Sequence, residues 1–179
     1  MNINYRILAD AMEYYKSIGY KEKHLPWIAS SEAIDITLPK WAECMKCQVG
    51  YLIGSAEQSF LDEVIKNNLR GKFVACTPCF RKEPIIDELH SYFFMKVELF
   101  INDSVNRETL NTVISDAFGF YNKYIECEII KTPEGFDIID KKNKIELGSY
   151  GVREHKLTDK WIYGTGVALP RLQYAMDKL

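Results

Sequence analysis

Two arginines set in unlike surroundings carry the clearest chemistry in this chain. The first lies in Phe80-Arg81-Lys82-Glu83, where an apolar run gives way to a polar loop. On an extended backbone Arg81 and Glu83, two residues apart, project to one side. Tyr92, Phe93 and Phe94 open the run that returns. A guanidinium at a strand end can grip phosphate oxygens in pairs, and a flat ring beside it can stack a purine. The rival reading is a surface Arg–Glu pair above core phenylalanines, and the local pattern taken alone fits that better.

The second arginine closes the series Gly164-Thr165-Gly166-x-Ala168-x-x-Arg171, where a predicted strand turns into a predicted helix. Glycines there permit close backbone approach, and an anion would gain from both the helix N-terminus and the arginine. A lone GxG says little. A GxG that follows a strand and precedes an arginine at this spacing says more.

Cysteines pose a separate question. Cys44 and Cys47 form one CxxC pair, and Cys76 and Cys79 form another. That spacing suits zinc, but the two pairs lie further apart than in common ribbons. Cys76 and Cys79 also sit in KFVACTPCF, which reads as a strand, and strand residues three apart face opposite ways unless Pro78 supplies a turn. Structural zinc and buried free thiols both stay open. Five cysteines, an odd number, argue against a disulfide framework in 179 residues.

The elements that would position these residues follow from periodicity. Tyr5, Leu8, Met12 and Tyr15 mark an amphipathic helix ending near Gly19, and Pro26 suits an edge strand or strand start. Ser55-x-x-Gln58 reads as a capping box for a helix carried by Phe60, Leu61, Val64, Ile65 and Leu69 and stopped by Gly71. Residues 72–80 and 92–101 read as an antiparallel pair. A second amphipathic helix spans 106–125. Strands are then expected at EIIK, FDIID, KIELGSY and WIYGTG, and a helix over VALPRLQYAMDKL. Helices alternating with an antiparallel sheet define an α+β fold, and the absence of repeats or linkers reads as a single domain over 1–179.

Composition narrows the function. Lys and Arg number 23 against 25 Asp and Glu, a net charge of -2, so the basic excess typical of a nucleic-acid binder is missing. Charges interrupt every apolar stretch before the ~20 residues of a bilayer span, so no membrane segment is expected. The N-terminal MNINYRILADAMEYY lacks the basic and apolar regions of a signal peptide, which points to the cytoplasm.

Taken in order, these features resemble the catalytic core of class II aminoacyl-tRNA synthetases, nearest the seryl/prolyl/threonyl subgroup. The first helix with GYKEKHLP is similar to motif 1. CFRKE followed by YFFMKVELF is similar to motif 2, and GTGVALPR to the GxGxxxxR of motif 3. YLIGSAEQSF resembles the Thr-x-Glu loop of the subgroup, with Ser55 in place of the usual Thr. The resemblance implies an antiparallel sheet flanked by helices, and activation of an amino acid as its adenylate with ATP and Mg²⁺. It implies that Arg81 holds the α-phosphate, Glu83 faces the adenine or the amino acid, Phe94 stacks on the adenine and Arg171 clamps the γ-phosphate. Glu146 would bind magnesium beside Ser149, and His90 would be a further phosphate contact. Glu57 would take the substrate α-ammonium, assisted by Glu98, a cation being what two converging carboxylates require. Zinc held partly by cysteines is the rival for the amine.

By the same resemblance motif 1 forms a homodimer, with Trp27 and Trp41 flanking it as candidate anchors. The departures bear on the acceptor. A tRNA-binding arm and an anticodon domain have no counterpart here, and the loop after Arg81 is short and carries Asp87 and Glu88. Strong independent tRNA capture is not expected, and the acceptor is expected to be a carrier protein, a peptide or a small amine. The alternatives are a regulatory paralogue that binds ATP or an amino acid, and a core that charges tRNA with a separate subunit.

Overall fold

A computed structural model of the chain describes residues 3–39 and 42–178. Helix α1 (Tyr5–Ser17) leads into the two-residue strands β1 (Lys21–Glu22) and β2 (Ile28–Ala29). Helix α2 (Ser31–Thr37), strands β3 (Met45–Cys47) and β4 (Gly50–Leu52) and helix α3 (Ala56–Asn67) follow. The long strands β5 (Lys72–Phe80) and β6 (Phe93–Ile101) precede α4 (Arg107–Tyr121). Strands β7 (Cys127–Lys131), β8 (Phe136–Asp140), β9 (Glu146–His155) and β10 (Asp159–Leu169) and helix α5 (Arg171–Asp177) complete the order. Seven strands form the main sheet, ordered β1-β5-β6-β10-β9-β8-β7, and all neighbours are antiparallel except β1 with β5. A small sheet, β2-β4-β3, stands apart. The architecture is the expected α+β one.

Strand alternation divides the core into two layers. Val74, Val97, Leu99 and Ile162 point to one face and meet Leu8, Ala11 and Tyr15 of α1 and Val113, Ala117 and Phe120 of α4. Phe73, Ala75, Phe100, Trp161 and Tyr163 point to the other and meet Ile34 of α2 and Phe60, Leu61 and Val64 of α3. Phe60 stacks on Phe100 with ring centroids 4.8 Å apart. The two-residue period of a strand thus feeds both layers. The second layer packs on one end of the sheet, and the other end of that face borders a cavity.

Local chemistry explains the boundaries and several departures from the periodicity. Asn106 caps α4 by accepting the Thr109 N–H at 2.9 Å. Ser55 caps α3 through the Glu57 N–H, while Gln58 reaches past the cap to accept the Gly54 N–H at 2.7 Å. The box is therefore displaced by one residue. Helix α3 ends at Asn68, which adopts the left-handed conformation (φ 51°), three residues before the expected stop at Gly71. Asn tolerates that region better than other side-chain-bearing residues, so it ends the helix first. Strand β10 continues through Val167-Ala168-Leu169, where helix was expected, and α5 has only seven residues, starting at Arg171. The segment of α2, β3 and β4 went unassigned because its elements are too short to show a period. Trp41 lies outside the described residues.

The glycines of the Gly164-Thr165-Gly166 series face the helices. A β-carbon on Gly164 would sit 2.8 Å from the Tyr150 ring, and one on Gly166 would sit 2.8 Å from both the Tyr15 ring and a Val97 methyl. The Gly166 carbonyl also accepts the Tyr15 hydroxyl at 2.9 Å. These glycines let tyrosines close on the sheet. The expected anion cradle is not what they build. Gly166→Ala should therefore cost about 1–3 kcal/mol through overpacking, read as a lower urea midpoint with unchanged slope; an unchanged midpoint would show that the layer gives way freely.

Candidate functional site

The cavity on the uncovered part of the sheet has a volume of about 510 Å³, in the range of small-ligand sites. Its walls come from the N-terminal turn of α3, the loop between β5 and β6, and the facing side chains of β6, β9 and β10. Of the expected site residues, Glu57, Arg81, Glu83, His90, Phe94, Glu146, Ser149 and Arg171 all line it.

On β6, Phe94 and Lys96 line the cavity and Glu98, buried at 1% exposure, follows them on the same face, because Phe100 two further on is in the second layer. Residues two apart share a face, so an aromatic end and a charged end are built into one strand. At the aromatic end Arg81 donates its Nε–H to the Gly54 carbonyl at 2.9 Å and lays its guanidinium over Phe94, 5.0 Å from the ring centre. Gly54 is itself held by Gln58. Helix α3 therefore aims Arg81 without contacting it. The Nη groups of Arg81 have no protein partner among the described residues and are available to the cavity.

Glu146 and Ser149 are three apart on β9, which on a regular strand would separate them. Pairing of β8 with β9 slips by one residue between Ile138 and Ile139, leaving Leu147 as the extra residue. Leu147 enters the helix-side core and Glu146 turns into the cavity beside Ser149. A bulge re-aims a side chain in this way. Glu146 accepts the Arg171 Nη1–H at 2.6 Å, so the expected metal ligand and the expected phosphate clamp meet as a pair. With a helix of only seven residues behind it, the positive charge at this corner is that of Arg171 itself.

The loop between β5 and β6 is tied at both ends of its arc. Lys82 pairs with Glu43 at 2.6 Å, and Glu88 accepts the Tyr174 hydroxyl of α5 at 2.9 Å. Asp87 accepts the backbone N–H groups of Leu89 and His90 and meets the His90 ring Nδ1 at 2.8 Å. Those bonds, the Leu89 N–H first, hold the Asp87 carboxyl below its usual range. His90 thus has one ring nitrogen committed to the loop. Glu83 has no hydrogen-bond or ionic partner among the described residues.

At the opposite end of the cavity the two buried carboxylates already have partners within the chain. Glu57, 4% exposed, accepts the Trp161 Nε1–H at 2.7 Å on one oxygen and the Arg153 Nη1–H at 2.5 Å on the other. Glu98 takes the Ser55 hydroxyl at 2.5 Å and Lys96 at 2.8 and 3.1 Å. Burial raises the Glu98 carboxyl, and the Lys96 charge opposes that rise. Two converging carboxylates do need cations, and the chain provides both itself. The need for a cation therefore no longer points to a substrate ammonium. Arg153 escaped sequence reading because GVREH looks like a solvent-facing charge run. Only the pairing of Trp161 with Arg153 across β9 and β10 reveals it. Burial would lower the Arg153 pKa, and the neighbouring Glu57 charge reverses that, so the guanidinium is held more firmly protonated.

The cysteines part company. Strand β5 runs regularly through Pro78, which pairs with Met95, and Cys76 and Cys79 pair with Val97 and Phe94. Among the described residues no strand pairs with β5 on its other side beyond Val74, which is why a proline is tolerated there. Cys76 packs against the helix-side core, Cys79 is buried, and burial pushes both thiols up to about 11. Among the described residues no three His, Cys, Asp or Glu side chains gather into a metal-holding group. Cys44, Cys47, Cys76 and Cys79 do not form such a group there. Magnesium asks less of a protein, one or two carboxylates with phosphate and water supplying the rest. Glu146 beside the Ser149 hydroxyl fits that requirement.

Comparison with solved structures places this arrangement. The chain superposes on seryl-tRNA synthetase from Pyrococcus horikoshii complexed with ATP with a TM-score of 0.80 at 17% identity, over 94% of this chain and 50% of that one. The fold is that of a class II aminoacyl-tRNA synthetase core. Cytoplasmic serine-tRNA ligase from Naegleria fowleri, in complex with AMP, matches with a TM-score of 0.73 at 17% identity over 92% of this chain and 51% of that one. A pyrrolysyl-tRNA synthetase from Desulfitobacterium hafniense matches with a TM-score of 0.74 at 16% identity, over 97% and 68%. The chain spans about half the length of the seryl enzymes it matches. No family model and no curated protein matches it in sequence. No helix among the described residues is long and apolar enough to cross a membrane.

Glu57→Gln keeps the Trp161 hydrogen bond while removing the counter-charge of Arg153. It should lower stability by about 1–3 kcal/mol, the cost of leaving a part-buried charge unpaired. Chemical denaturation measures this, and a neutral result would mean that water replaces Glu57 without penalty.

Proposed function

We propose that the protein activates an amino acid with ATP, forming an aminoacyl-adenylate and pyrophosphate. One observation carries the reading. Within a single cavity on a class II core, Arg81, Phe94 and Arg171 line one end and a buried, charge-balanced cluster forms the other. Phosphoryl and adenylyl transfer need positioning and compensation of charge more than covalent help, and those are what the cavity offers.

In this reading the adenine rests on Phe94 and the Arg81 Nη groups donate to the α-phosphate oxygens. A carboxylate oxygen of the amino acid attacks the α-phosphorus in line as the bond from that phosphorus to the bridging β-phosphate oxygen breaks. Negative charge grows on the equatorial oxygens, where Arg81 strengthens its hold. Arg171 exchanges its contact with Glu146 for the terminal phosphate and steadies the departing pyrophosphate. Glu146 and Ser149 would hold a magnesium ion, which would supply Lewis-acid neutralisation of the phosphates. Glu83 and His90 complete the nucleotide end, and Glu57 and Glu98 shape the amino-acid end.

The acceptor is a carrier protein, a peptide or a small amine. The loop that would meet a tRNA end carries exposed Asp87 and Glu88, and the chain has a net charge of -2, both unfavourable to a polyanion. We place the protein in the cytoplasm as one domain over 1–179, acting as a homodimer through α1 and the segment after it. Trp27 is 56% exposed and Tyr5 67% exposed, two large apolar side chains that these segments leave at the surface. Sedimentation at micromolar concentration should give twice the chain mass, and a monomer would reject the dimer.

Arg81→Ala and Arg171→Ala should each reduce ATP–pyrophosphate exchange by about 100-fold or more, as loss of a transition-state donor does. Both should fold with midpoints near wild type, since Arg171 makes an exposed pair and Arg81 one backbone contact. Exchange retained in both variants would reject the roles given to the two arginines, and ATP binding by the wild-type protein with no exchange for any amino acid would favour the binding paralogue. Exchange that needs an added subunit and tRNA would favour the assisted tRNA-charging core.

A further inference from the structure

We propose that Arg153 selects the substrate by donating to a planar acyl oxygen on its side chain, so that the amino acid taken is an acid or its amide. This deepens the activation reading above and rests on it for the location of the amino-acid end.

The inference follows from which polar atoms are already spent. Both oxygens of Glu57 are occupied, by Trp161 and Arg153. Both oxygens of Glu98 are occupied, by Lys96 on each and by Ser55 on one. No strong acceptor is left over in this cluster. Donors are left over. A guanidinium has five N–H groups in a rigid fork, and Arg153 commits only Nη1 to Glu57. Its guanidinium carbon lies over the Tyr163 ring, 4.0 Å from the centre, and its side chain is 36% exposed while lining the cavity. Arg153 lines the cavity together with Tyr163, Ser149, Thr165 and Glu134, and its remaining N–H groups have no partner among the described residues. An oriented, firmly charged fork matches a carboxylate or carboxamide better than any other side-chain terminus.

An apolar side chain would leave those donors desolvated and unpaired, and an ammonium would meet a guanidinium head-on. Polar sites reject analogues without the matching group far more sharply than apolar pockets reject a missing methylene. Leucine is close in size and shape to aspartate and asparagine and has no acyl oxygen, so it isolates this one contact.

Calorimetric titration of the intact protein with aspartate, glutamate, asparagine, glutamine and leucine tests the idea without requiring turnover. At least one acid or amide should bind about 10- to 100-fold more tightly than leucine, and the ratio of acid to amide tells which acyl form is preferred. Arg153→Lys, which keeps a charge for Glu57, should lose most of that preference while ATP affinity stays put. The double variant Glu57→Gln/Arg153→Met, which leaves no buried charge uncompensated, should lose it entirely. Equal or tighter binding of leucine, a preference that survives both variants, or no binding by any acid or amide would overturn the proposal. Binding with the expected preference but no pyrophosphate exchange would retire the activation reading and leave the role of Arg153 standing.

Discussion

A carboxylate buried against a sheet must be neutralised where it stands, and the site is organised around two such groups. Glu57 and Glu98 are each almost free of solvent, and each is met by a cation and a neutral donor from a different element. Satisfying Glu57 requires the first turn of α3 to face Trp161 of β10 and Arg153 of β9. Satisfying Glu98 requires the cap of α3 to face β6. Breaking one member of such a set strands the others, so the cluster clamps α3 over the centre of the sheet. Ser55 links the two halves, since its hydroxyl both accepts the Glu57 N–H and donates to Glu98. The helix is thereby placed by polar contacts at its start and by Phe60 and Leu61 further along.

Placement of α3 in turn aims the aromatic end of the cavity. Gln58, one turn into the helix, fixes Gly54, and the Gly54 carbonyl fixes Arg81 over Phe94. The two ends of the cavity are therefore mechanically joined through a stretch of five residues. A side chain held by its second neighbours rather than by its own contacts keeps its reactive atoms unspent. Arg81 shows that economy, with Nε committed and both Nη groups open.

What the sequence discloses follows the reach of each signal. The long strands β5 and β6 and the helices α1, α3 and α4 were legible because apolar residues recur there over many positions. Arg81, Phe94, Glu146 and Arg171 were legible through motif order, and the cavity does collect them. Register was not legible. One extra residue near Leu147 puts Glu146 with Ser149, and one near Gly166 moves Val167 and Leu169 to the helix-side core. A slip of one position reverses every side chain beyond it, and nothing in the local composition marks the slip. The glycines of the GTG series misled for a related reason. Their need for space was visible, but the neighbours demanding it, Tyr15 and Tyr150, come from elsewhere in the chain. Arg153 lay in an unremarkable charge run and acquires meaning only through its cross-strand partner.

The structural likenesses divide the site along the same line. At 16–17% identity, seryl and pyrrolysyl enzymes superpose on this chain about equally well, with TM-scores of 0.73, 0.80 and 0.74. Those enzymes are named for very different side chains, so backbone likeness holds no information about which one is taken. It reports the scaffold that aims the two arginines and the ring. Under the proposed activity, selection resides in the side chains standing on the sheet beyond Phe94, where a single donor or acceptor outweighs a methylene. On this chain those side chains include Lys96, Glu98, Arg153 and Tyr163, and both Glu98 oxygens are already bound within the protein while Arg153 keeps N–H groups unspent. Buried carboxylates that are already paired, beside a guanidinium with N–H groups to spare, are the electrostatic complement of an oxygen-bearing group.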